Sequence, residues 1–526
     1  MDWKLGETRG QAWATRMVAF LSLGFALLVL ISFVQNVRAL WPYTMDDAFI
    51  TFRYADNLVR GWGLTFNQDP PAAEGYSSLL WTLLMALPHL FGLEAVGCSK
   101  IFGGAFTLGT LGLLLWVGGS GRPQRSCWER WYPGLISAGL FLTFPFGPMH
   151  VVSGMETALA AFLYALATSA FLKQRDGAWS FLPLPFSCLL LGLTRPEANL
   201  FSMGLLLLAL GGAAGGERRR IALSALLLYV LPGVLYVLWR IQYYGQWFPL
   251  GFYLKSNTIQ FQGVERTLGF LADLSVGFAL PLIVLLRSEQ RGRAVVLLPL
   301  VLLCLYFLTV KHIMGFGYRF LFPLVPVLAL LAGSALAVSL RPRRAFLLLV
   351  GFSACLGAGY FLGQVRHRMA ARDFLSDAVG GERAHARLGR SLAAVPWTTT
   401  PLLAIGDAGA VPYYSRLKTL DIYGLNTPSI ALASQVDHTE DIFAAGPTVL
   451  VLASCQRHQY EGPFLHEQRL FRAANARGYR HRLTYVFDNH YFLWVLWHPE
   501  GRDTPLLERQ AWCEVQTFDP WCERRP

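Results

Sequence analysis

Charged residues are scarce in this chain of 526 residues. Aspartate, glutamate, lysine and arginine make up 15% of it, whereas a soluble globular protein carries about 25%. Hydrophobic residues make up 54%, and the mean hydropathy is +0.39. This composition excludes a wholly soluble protein. It predicts an α-helical polytopic membrane protein that is long enough to hold a separate soluble domain.

Several motifs are absent, and each absence argues against a class of site. The chain has no CxxC pair and no His/Cys ligand spacing, which argues against a structural zinc site. No small-residue cleavage site follows the first apolar run, Met17 to Val34, so we expect this run to stay as the first transmembrane helix. Near the C-terminus, Cys513 and Cys522 can pair if that region faces an oxidising compartment.

Acidic residues are fewer than basic ones, 33 against 45, which gives a net charge of +12. Such a surplus is also typical of proteins that bind nucleic acid. Here, however, most of the arginines fall in short loops between apolar runs, which is the signature of membrane orientation rather than of a binding face. We therefore predict no nucleic-acid partner and a lipid bilayer as the surroundings of the chain.

The apolar runs set the predicted topology. Eleven of them are suited to membrane-spanning helices, near residues 17–37, 99–118, 133–152, 155–172, 180–195, 197–212, 221–240, 267–287, 294–310, 320–340 and 345–363. The stretch Ser78 to Phe91 is short and contains Pro88, so we place it on the membrane surface. This choice puts the arginine-rich loops and the basic N-terminus on the cytoplasmic side. The predicted domains are a transmembrane domain (1–363) with surface helices in its first outer loop (38–98), and an extracytoplasmic domain (364–526).

The C-terminal domain reads as soluble α/β. Pro401 to Gly406 and Thr448 to Ala453 are short apolar runs typical of buried strands. Leu483 to Phe487 and Tyr491 to Trp497 are typical of a hairpin. The domain has neither a GxSxG motif nor a phosphate-binding loop. We interpret Asp407, which follows the first run, as a turn or strand-end residue rather than a catalytic one.

Trp41 to Trp81 is the only long polar interruption in the first 120 residues. Two adjacent carboxylates, Asp46 and Asp47, stand where the chain leaves the first apolar run. A stripe of residues at i, i+4 and i+8 follows from Ile50 to Leu58, and Gly61 supplies a helix stop. The two acids are therefore expected at the start of a short helix near the membrane surface. The simpler alternative is that one of them merely caps this helix.

Further ionisable residues are expected on the outer face, where they occur singly among aromatic residues at the ends of spans. They are Glu74, Glu156, Arg195, Arg240, Lys255, His312 and Arg319. Ionisable groups at such depths are costly in free energy and therefore indicate a functional site. The alternative for the arginines is that they are anchors whose side chains reach the membrane surface.

Together these residues favour one kind of chemistry. Arginine and lysine bind phosphate oxygens through charge-assisted hydrogen bonds, and an apolar helix bundle suits a long lipid tail. An aspartate can act as a general base on an acceptor hydroxyl, or can hold a divalent cation, Mg, Mn or Ca, that offsets charge on a departing phosphate. This combination predicts the transfer of a sugar from a lipid phosphate.

The same residues resemble a known family. The run DDAFITFRYADNLVRGWGLTFN, with EGYSSLLW, SGMETAL, LTRPEA, GYRFLFPLVPVLALL and GDAGAVPYYS, is similar to the GT-C superfamily of polyprenyl-phosphate-sugar glycosyltransferases. Within it, the resemblance is to the cell-wall terminal β-(1→2) arabinofuranosyltransferases. It implies a fold of GT-C type with about eleven transmembrane helices in a bacterial cytoplasmic (inner) membrane. It also implies a D-arabinofuranose donor on polyprenyl phosphate and an envelope glycan or protein as the acceptor.

The resemblance also implies roles for single residues. Asp46 and Asp47 become the catalytic acids, with Asp47 as the metal-holding one if a cation is bound. Groups for the donor phosphate or the sugar are Lys255, Arg195, Arg240, Arg319, His312, Glu74 and Glu156.

A polytopic transporter or flippase of a lipid-linked sugar is the alternative function, since it would also have many spans and buried charges. Such proteins typically show an internal repeat and helices broken by glycine or proline near the midplane. The chain shows no repeat, and its polar clusters fall at one face of the predicted bundle.

Overall fold

The computed structural model describes residues 9–69, 71–119, 127–177, 180–256, 263–287, 289–338, 342–433 and 437–498. Cys513 and Cys522 lie outside them, so their pairing stays a prediction. In chain order the α-helices are α1 Arg9–Ala39, α2 Asp46–Val59, α3 Leu79–Leu90, α4 Ala95–Gly119, α5 Cys127–Thr143, α6 Gly147–Val152, α7 Thr157–Arg175, α8 Pro183–Thr194, α9 Ala198–Gly212, α10 Gly215–Ala225, α11 Leu231–Tyr244, α12 Leu250–Ser256, α13 Val264–Arg287, α14 Leu297–Thr309, α15 Val325–Val338, α16 Pro342–Gly380, α17 Arg387–Ala394, α18 Ala410–Ser415, α19 Pro428–Ala431, α20 Thr439–Ala444 and α21 Leu465–Ala476.

The chain forms two compact units, each assembled from separate stretches of sequence. One unit contains the residues up to Trp41 with Ser99–Leu238 and Thr258–Ala371. The other contains Pro42–Cys98, Trp239–Asn257 and the residues from Arg372 onward. The first outer loop and the C-terminal domain therefore belong to the same unit. The predicted boundary between residues 363 and 364 stays a prediction.

Each of the eleven predicted apolar runs lies mainly in helix over its described residues. The run 133–152 is divided, because α5 ends at Thr143 and α6 begins at Gly147. Pro145 disfavours helical backbone at the residue before it, and Phe146 takes a left-handed φ of 67°. A π-helical turn, Leu226–Val230, joins α10 to α11, so the predicted run 221–240 lies within one longer helical stretch.

Five helical stretches in the described residues are long and apolar enough to cross a membrane: Ala95–Val117, Gly215–Tyr244, Val264–Arg287, Gly292–Thr309 and Phe316–Gly333. Shorter apolar helices accompany them, including α3, which we placed on the membrane surface. The chain is thus a multipass helical membrane protein. The number of eleven spans stays a prediction.

The sheet of the C-terminal domain has five strands: β1 Leu402–Ile405, β2 Lys418–Asp421, β3 Val449–Ser454, β4 Arg480–Val486 and β5 Phe492–Trp497. Their order is β2-β1-β3-β5-β4. Strand β1 pairs in parallel with β2 and β3, and β5 pairs antiparallel with β3 and β4. The predicted strands and hairpin are therefore confirmed.

Both faces of this sheet are covered, which explains the unbroken apolar runs. On one face, Leu403, Val451 and Val495 pack with Leu388 and Leu392 of α17. The other face is covered mainly by α20 and α21, whose apolar side chains pack against alternate residues of the same strands. Strand β1 lies inside the sheet, between β2 and β3, so the residues that follow it leave from a strand that is paired on both sides.

Candidate functional site

Asp46 and Asp47 begin α2, as the sequence predicts, and lie in its first turn. Negative charge is favoured there because it meets the positive end of the helix dipole. The capping position is Met45, whose side chain makes no capping hydrogen bond. Asp46 Oδ1 instead accepts a hydrogen bond from the backbone N–H of Ala410, the first residue of α18, at 2.9 Å. The capping alternative is therefore wrong for Asp46, whose carboxylate joins α2 to the C-terminal domain.

A second carboxylate lies close to Asp46 in the same unit. Asp407 follows β1, and its Oδ2 accepts a hydrogen bond from the Tyr491 hydroxyl at 2.6 Å. The same oxygen is 2.7 Å from Nε2 of His385, which belongs to the π-helical turn Gly381–Ala386. Asp407 is thus a strand-end residue, as interpreted, but it is also paired with a buried histidine beside the first-loop acids.

The charges in this group shift one another's ionisation. Burial raises the pKa of Asp46 to about 6, the charge of His385 opposes the shift, and the charge of Asp407 adds to it. Burial lowers the pKa of His385, but the hydrogen bond to Asp407 and the charges of both aspartates outweigh burial and raise it. Burial opposes ionisation of Asp407 too, yet the histidine holds the pKa of that carboxyl below its usual range. The group is therefore a His385–Asp407 ion pair next to an aspartate that stays largely ionised at neutral pH.

Gly409 gives the Asp46 carboxylate its space. A Cβ atom at this position would fall on the carboxylate and the backbone oxygen of Asp46. We expect Gly409→Ala to displace Asp46 and to lower any activity that depends on it by about a hundredfold, since a displacement of about 1 Å costs that much in a positioned site.

The matched control is Gly381→Ala, because nothing lies within 4 Å of a Cβ at that position. Turnover of both variants under identical conditions is the measurement. Equal activity of the two variants would show that the position of the Asp46 carboxylate does not limit the reaction.

Asp47 is half-buried, and the sequence predicts it as the holder of a divalent cation. Within the described ranges, His, Cys, Asp and Glu side chains form no group of three or more that could hold a metal ion. Mg²⁺ sites, however, often use one or two carboxylates together with water and substrate phosphate, so a cation at Asp47 does not require such a group. We derive no chemical step through a cation, and its presence stays a prediction.

Glu74 and Arg240 form a buried ion pair in the same unit. Arg240 Nε lies 2.8 Å from both carboxylate oxygens of Glu74, and its Nη1 donates to the carbonyl of Trp247 at 3.2 Å. Arg240 Nη2 is buried, and no hydrogen-bond partner for it occurs in the described part of the chain. This guanidinium therefore keeps one donor available for a further acceptor.

Helix α2 positions Glu74 through Tyr54. The Tyr54 hydroxyl donates to the carbonyl of Ala73 at 2.8 Å and accepts from the N–H of Gly75 at 2.9 Å, so it holds the residues on both sides of Glu74. The ring of Tyr54 is fully buried. One helix thus carries Asp46 at its start and fixes Glu74 from its middle.

The remaining acid and arginines converge in the other unit. Arg195 Nη2 lies 2.8 Å from Glu156 Oε1, and Arg319 Nη2 lies 3.4 Å from both oxygens of that carboxylate. All three side chains are buried. Arg195 also lies 3.5 Å from Glu197, and both guanidinium groups lie over the ring of Phe320, at 5.3 and 5.5 Å. These arginines are not anchors that reach the membrane surface.

His312 belongs to the surroundings of this group, whereas Lys255 is not located. The His312 ring is 5.6 Å from that of Phe320, and its Nε2 lies 3.0 Å from the carbonyl of Phe307. Lys255 lies on α12, but its side chain is outside the described part of the structure. The structure therefore brings six predicted site residues into three groups: Asp46 with the His385–Asp407 pair, Glu74 with Arg240, and Glu156 with Arg195 and Arg319.

The sequence analysis did not predict His385 or Tyr491 as site residues. It interpreted Asp407 as a turn or strand-end residue rather than a catalytic one. His385 lies in a charged helical connector, where a histidine carries no signal of its own. The available signal was the position of Asp407 after a buried strand, because polar residues at such strand ends often line sites. Nothing local in the sequence indicates that Asp407 meets a histidine and the first-loop acids.

The fold and the position of the acids define a class of protein. A multipass helical unit, a long first loop that begins a helix with two aspartates, and a C-terminal α/β domain together make a polytopic membrane protein with the fold of GT-C type. The sequence-based prediction of fold class is confirmed at this level.

Solved structures with this fold include ArnT from Cupriavidus metallidurans bound to undecaprenyl phosphate. It is 12% identical, the alignment covers 90% of this chain and 97% of ArnT, and the TM-score is 0.58. For ArnT in the apo state the identity is again 12%, the coverages are 93% and 98%, and the TM-score is 0.56. The Archaeoglobus fulgidus oligosaccharyltransferase aligns at 13% identity over 81% of this chain and 67% of its own, with a TM-score of 0.46, which is too low to carry an argument.

Comparison at the level of sequence gives one match to a family model. The model of a family described as a domain of unknown function (DUF8728) matches residues 377–520, which include His385, Asp407 and Tyr491. No curated protein matches the chain. The similarity to ArnT therefore establishes the fold alone.

Proposed function

We propose that this protein is a membrane glycosyltransferase that uses a polyprenyl-phosphate sugar as its donor. The donor sugar in this proposal is D-arabinofuranose, which the first-loop motif favours. The acceptor is a glycan or protein of the cell envelope, on the outer face of a bacterial cytoplasmic membrane. The fold of GT-C type and the binding of undecaprenyl phosphate by ArnT support a lipid-phosphate donor.

The observation that carries the proposal is the setting of Asp46. Its carboxylate is fixed by the N–H of Ala410, and its pKa of about 6 lies below neutral pH. A general base works best when its pKa lies near the working pH and it is ionised there. Asp46 therefore accepts the proton of the acceptor hydroxyl, and the adjacent His385–Asp407 pair keeps the charge distribution around it fixed.

The reaction then balances without another reactant. The acceptor oxygen bonds to the anomeric carbon of the sugar as its proton passes to Asp46. The bond between that carbon and the phosphate oxygen breaks, and polyprenyl phosphate leaves as a monoester with one negative charge more than the phosphodiester donor carried. Guanidinium groups stabilise such a charge well. In this proposal Arg240, which belongs to the same compact unit as Asp46, supplies one of them, and Lys255 adds a further cation.

The test is a donor panel. Purified protein is incubated with polyprenyl phosphates carrying arabinofuranose or other sugars, with an envelope-glycan mixture as the acceptor. Release of polyprenyl phosphate and labelling of the glycan are measured, with and without EDTA. We expect the arabinofuranosyl lipid to react fastest.

Loss of turnover in EDTA would support the cation. Release from another sugar alone would correct the donor. No release from any donor by protein that binds the lipid would contradict the transferase function, and movement of the lipid across vesicles would then support the transporter alternative.

A further inference from the structure

A polar cleft lies at the far end of α2 from the acids. Its volume is about 240 Å³, and its walls come from the first outer loop and the C-terminal domain, which belong to one compact unit. The lining residues are Arg53, Asp56, Asn57, Trp62, Phe66, Asn67, Gln68, Asp69, Thr400, Pro412, Tyr413, Arg416 and Lys418. Asp46 and Asp56 are ten residues apart on α2, which corresponds to about 15 Å along the helix axis. The cleft is therefore separate from the Asp46 carboxylate.

The floor of the cleft is fixed by Arg53. Its Nε donates to the carbonyl of Phe66 at 2.7 Å, and its Nη1 donates to the carbonyl of Pro412. Its Nη2 donates to the carbonyl of Leu417 at 2.7 Å and to Asn67 Oδ1 at 3.2 Å. The guanidinium is buried over the ring of Phe66. Arg53 is thus occupied by the protein and holds the two walls together.

Asn67 closes the same floor from the other side. Its amide nitrogen donates to the carbonyl of Thr419 at 2.8 Å, and its Oδ1 accepts from the N–H of that residue at 2.9 Å. These are the two backbone groups of Thr419 on β2, an edge strand of the sheet. The loop is therefore attached to the sheet edge as a further strand would be, and the cleft is formed before any ligand arrives.

The groups that line the open part of the cleft suit a sugar. Trp62 is 38% exposed and Tyr413 half-buried, so that both aromatic residues keep part of their surface accessible. An aromatic face is apolar and matches the C–H face of a sugar ring, while a few placed polar groups fix its orientation. Gln68 and Thr400 are exposed and supply an amide and a hydroxyl that can pair with sugar hydroxyls.

The charges argue against an anionic ligand. Lys418 Nζ lies 2.9 Å from Asp69, and Arg416 Nε lies 4.0 Å from Asp56, so each exposed cation has a carboxylate beside it. Arg53 is directed at backbone carbonyls and an amide oxygen. The lining has three cations and two carboxylates, but because Arg53 is held by the protein, a phosphate would meet both carboxylates beside the two exposed cations, Arg416 and Lys418. The lining favours a neutral ligand with many hydroxyls.

We propose that this cleft binds one sugar unit of a neutral glycan chain and holds the acceptor while its end reaches Asp46. That the bound glycan is the acceptor rests on the proposed function. Binding of the glycan to the cleft does not require sugar transfer. The volume of the cleft is below the range of about 300–1,000 Å³ for typical small-ligand pockets. The cleft therefore suits a single sugar unit rather than a whole oligosaccharide.

The probes are two neutral hexasaccharides, arabinohexaose and cellohexaose, with inorganic phosphate as the anionic probe. Binding to the purified full-length protein is measured by calorimetry and by saturation-transfer NMR. We expect at least one hexasaccharide to bind and phosphate not to compete with it. Trp62→Ala is expected to weaken binding by about two- to tenfold, because it removes an aromatic face. Gln68→Ala, at an exposed position, tests a polar contact with little effect on folding.

Trp116→Ala is the matched control, since Trp116 on α4 is an exposed tryptophan in the other compact unit. In transfer assays Trp62→Ala should raise the acceptor KM and leave kcat unchanged. Binding by neither hexasaccharide, competition by phosphate, or equal binding by wild type, Trp62→Ala and Gln68→Ala would overturn the proposal. Sugar binding that Trp62→Ala weakens, in a protein that transfers no sugar, would support the cleft and contradict the proposed function. Sugar transfer by the wild type, together with normal hexasaccharide binding by Trp62→Ala and Gln68→Ala, would support the proposed function and contradict the cleft as the binding site.

Discussion

Replacing Asp46 with asparagine is expected to slow sugar transfer by about two to four orders of magnitude and to leave the fold intact. Asparagine keeps an Oδ1 that can accept the N–H of Ala410, so the link between α2 and α18 survives. It cannot take a proton from an acceptor hydroxyl, and it carries no charge. The measurement is release of polyprenyl phosphate, with thermal unfolding in detergent to show that the variant is folded.

Two further variants show whether the effect is specific to Asp46. Asp47→Asn, tested separately, shows whether the second acid contributes to turnover. Asp437→Asn is the matched control, because Asp437 forms an exposed pair with Arg469 at 3.0 Å, and exposed pairs contribute little to stability. Near-normal turnover by folded Asp46→Asn protein would refute Asp46 as the general base.

Glu156→Gln is expected to lower the free energy of unfolding by about 3–5 kcal/mol. The Glu156 carboxylate lies between the guanidinium groups of Arg195 and Arg319, and all three side chains are buried. Glutamine removes the negative charge that both guanidinium groups contact, while Arg195 keeps its more distant contact with Glu197 at 3.5 Å. Thermal or denaturant unfolding in detergent measures the loss.

Undecaprenyl phosphate separates a structural role of these arginines from a donor-binding one. If they bind the donor phosphate, adding this lipid should stabilise Glu156→Gln more than wild type, because the phosphate supplies the missing charge. Glu440→Gln is the control: Glu440 pairs with Arg477 at 2.7 Å on the surface, and its loss should cost at most about 1 kcal/mol. An unfolding curve of Glu156→Gln like that of wild type would contradict the prediction, and the absence of lipid rescue would assign the arginines to structure alone.

The sequence predicts local elements well because their signals are local. The stripe from Ile50 to Leu58 and the stop at Gly61 correspond to α2, which spans Asp46–Val59. The run at 401–406 corresponds to β1, because a short apolar run of this kind needs cover on both faces, and the sheet provides it. In both cases a few neighbouring residues carry the pattern.

Which residues meet in the candidate site depends on contacts between distant parts of the chain, and local sequence patterns do not predict such contacts. Asp46 and Ala410 are 364 positions apart, so the hydrogen bond between them depends on the complete tertiary structure. Arg195 and Glu156 were each predicted as single outer-face residues, and their shared ion pair became visible only in the fold. Periodicity reports which face of an element is buried, but it does not report which element covers that face.

The long separation between Asp46 and Ala410 also has a consequence for biosynthesis. At about 5–20 residues per second, a ribosome reaches Ala410 roughly 20–70 s after Asp46 has been made. During that interval α2 exists without the partner that fixes its first carboxylate, and without the carbonyls of Pro412 and Leu417 that accept hydrogen bonds from Arg53. A nascent or truncated chain therefore carries the acids in a membrane without the arrangement proposed to make them reactive, and the site is complete only when nearly the whole chain has been synthesised.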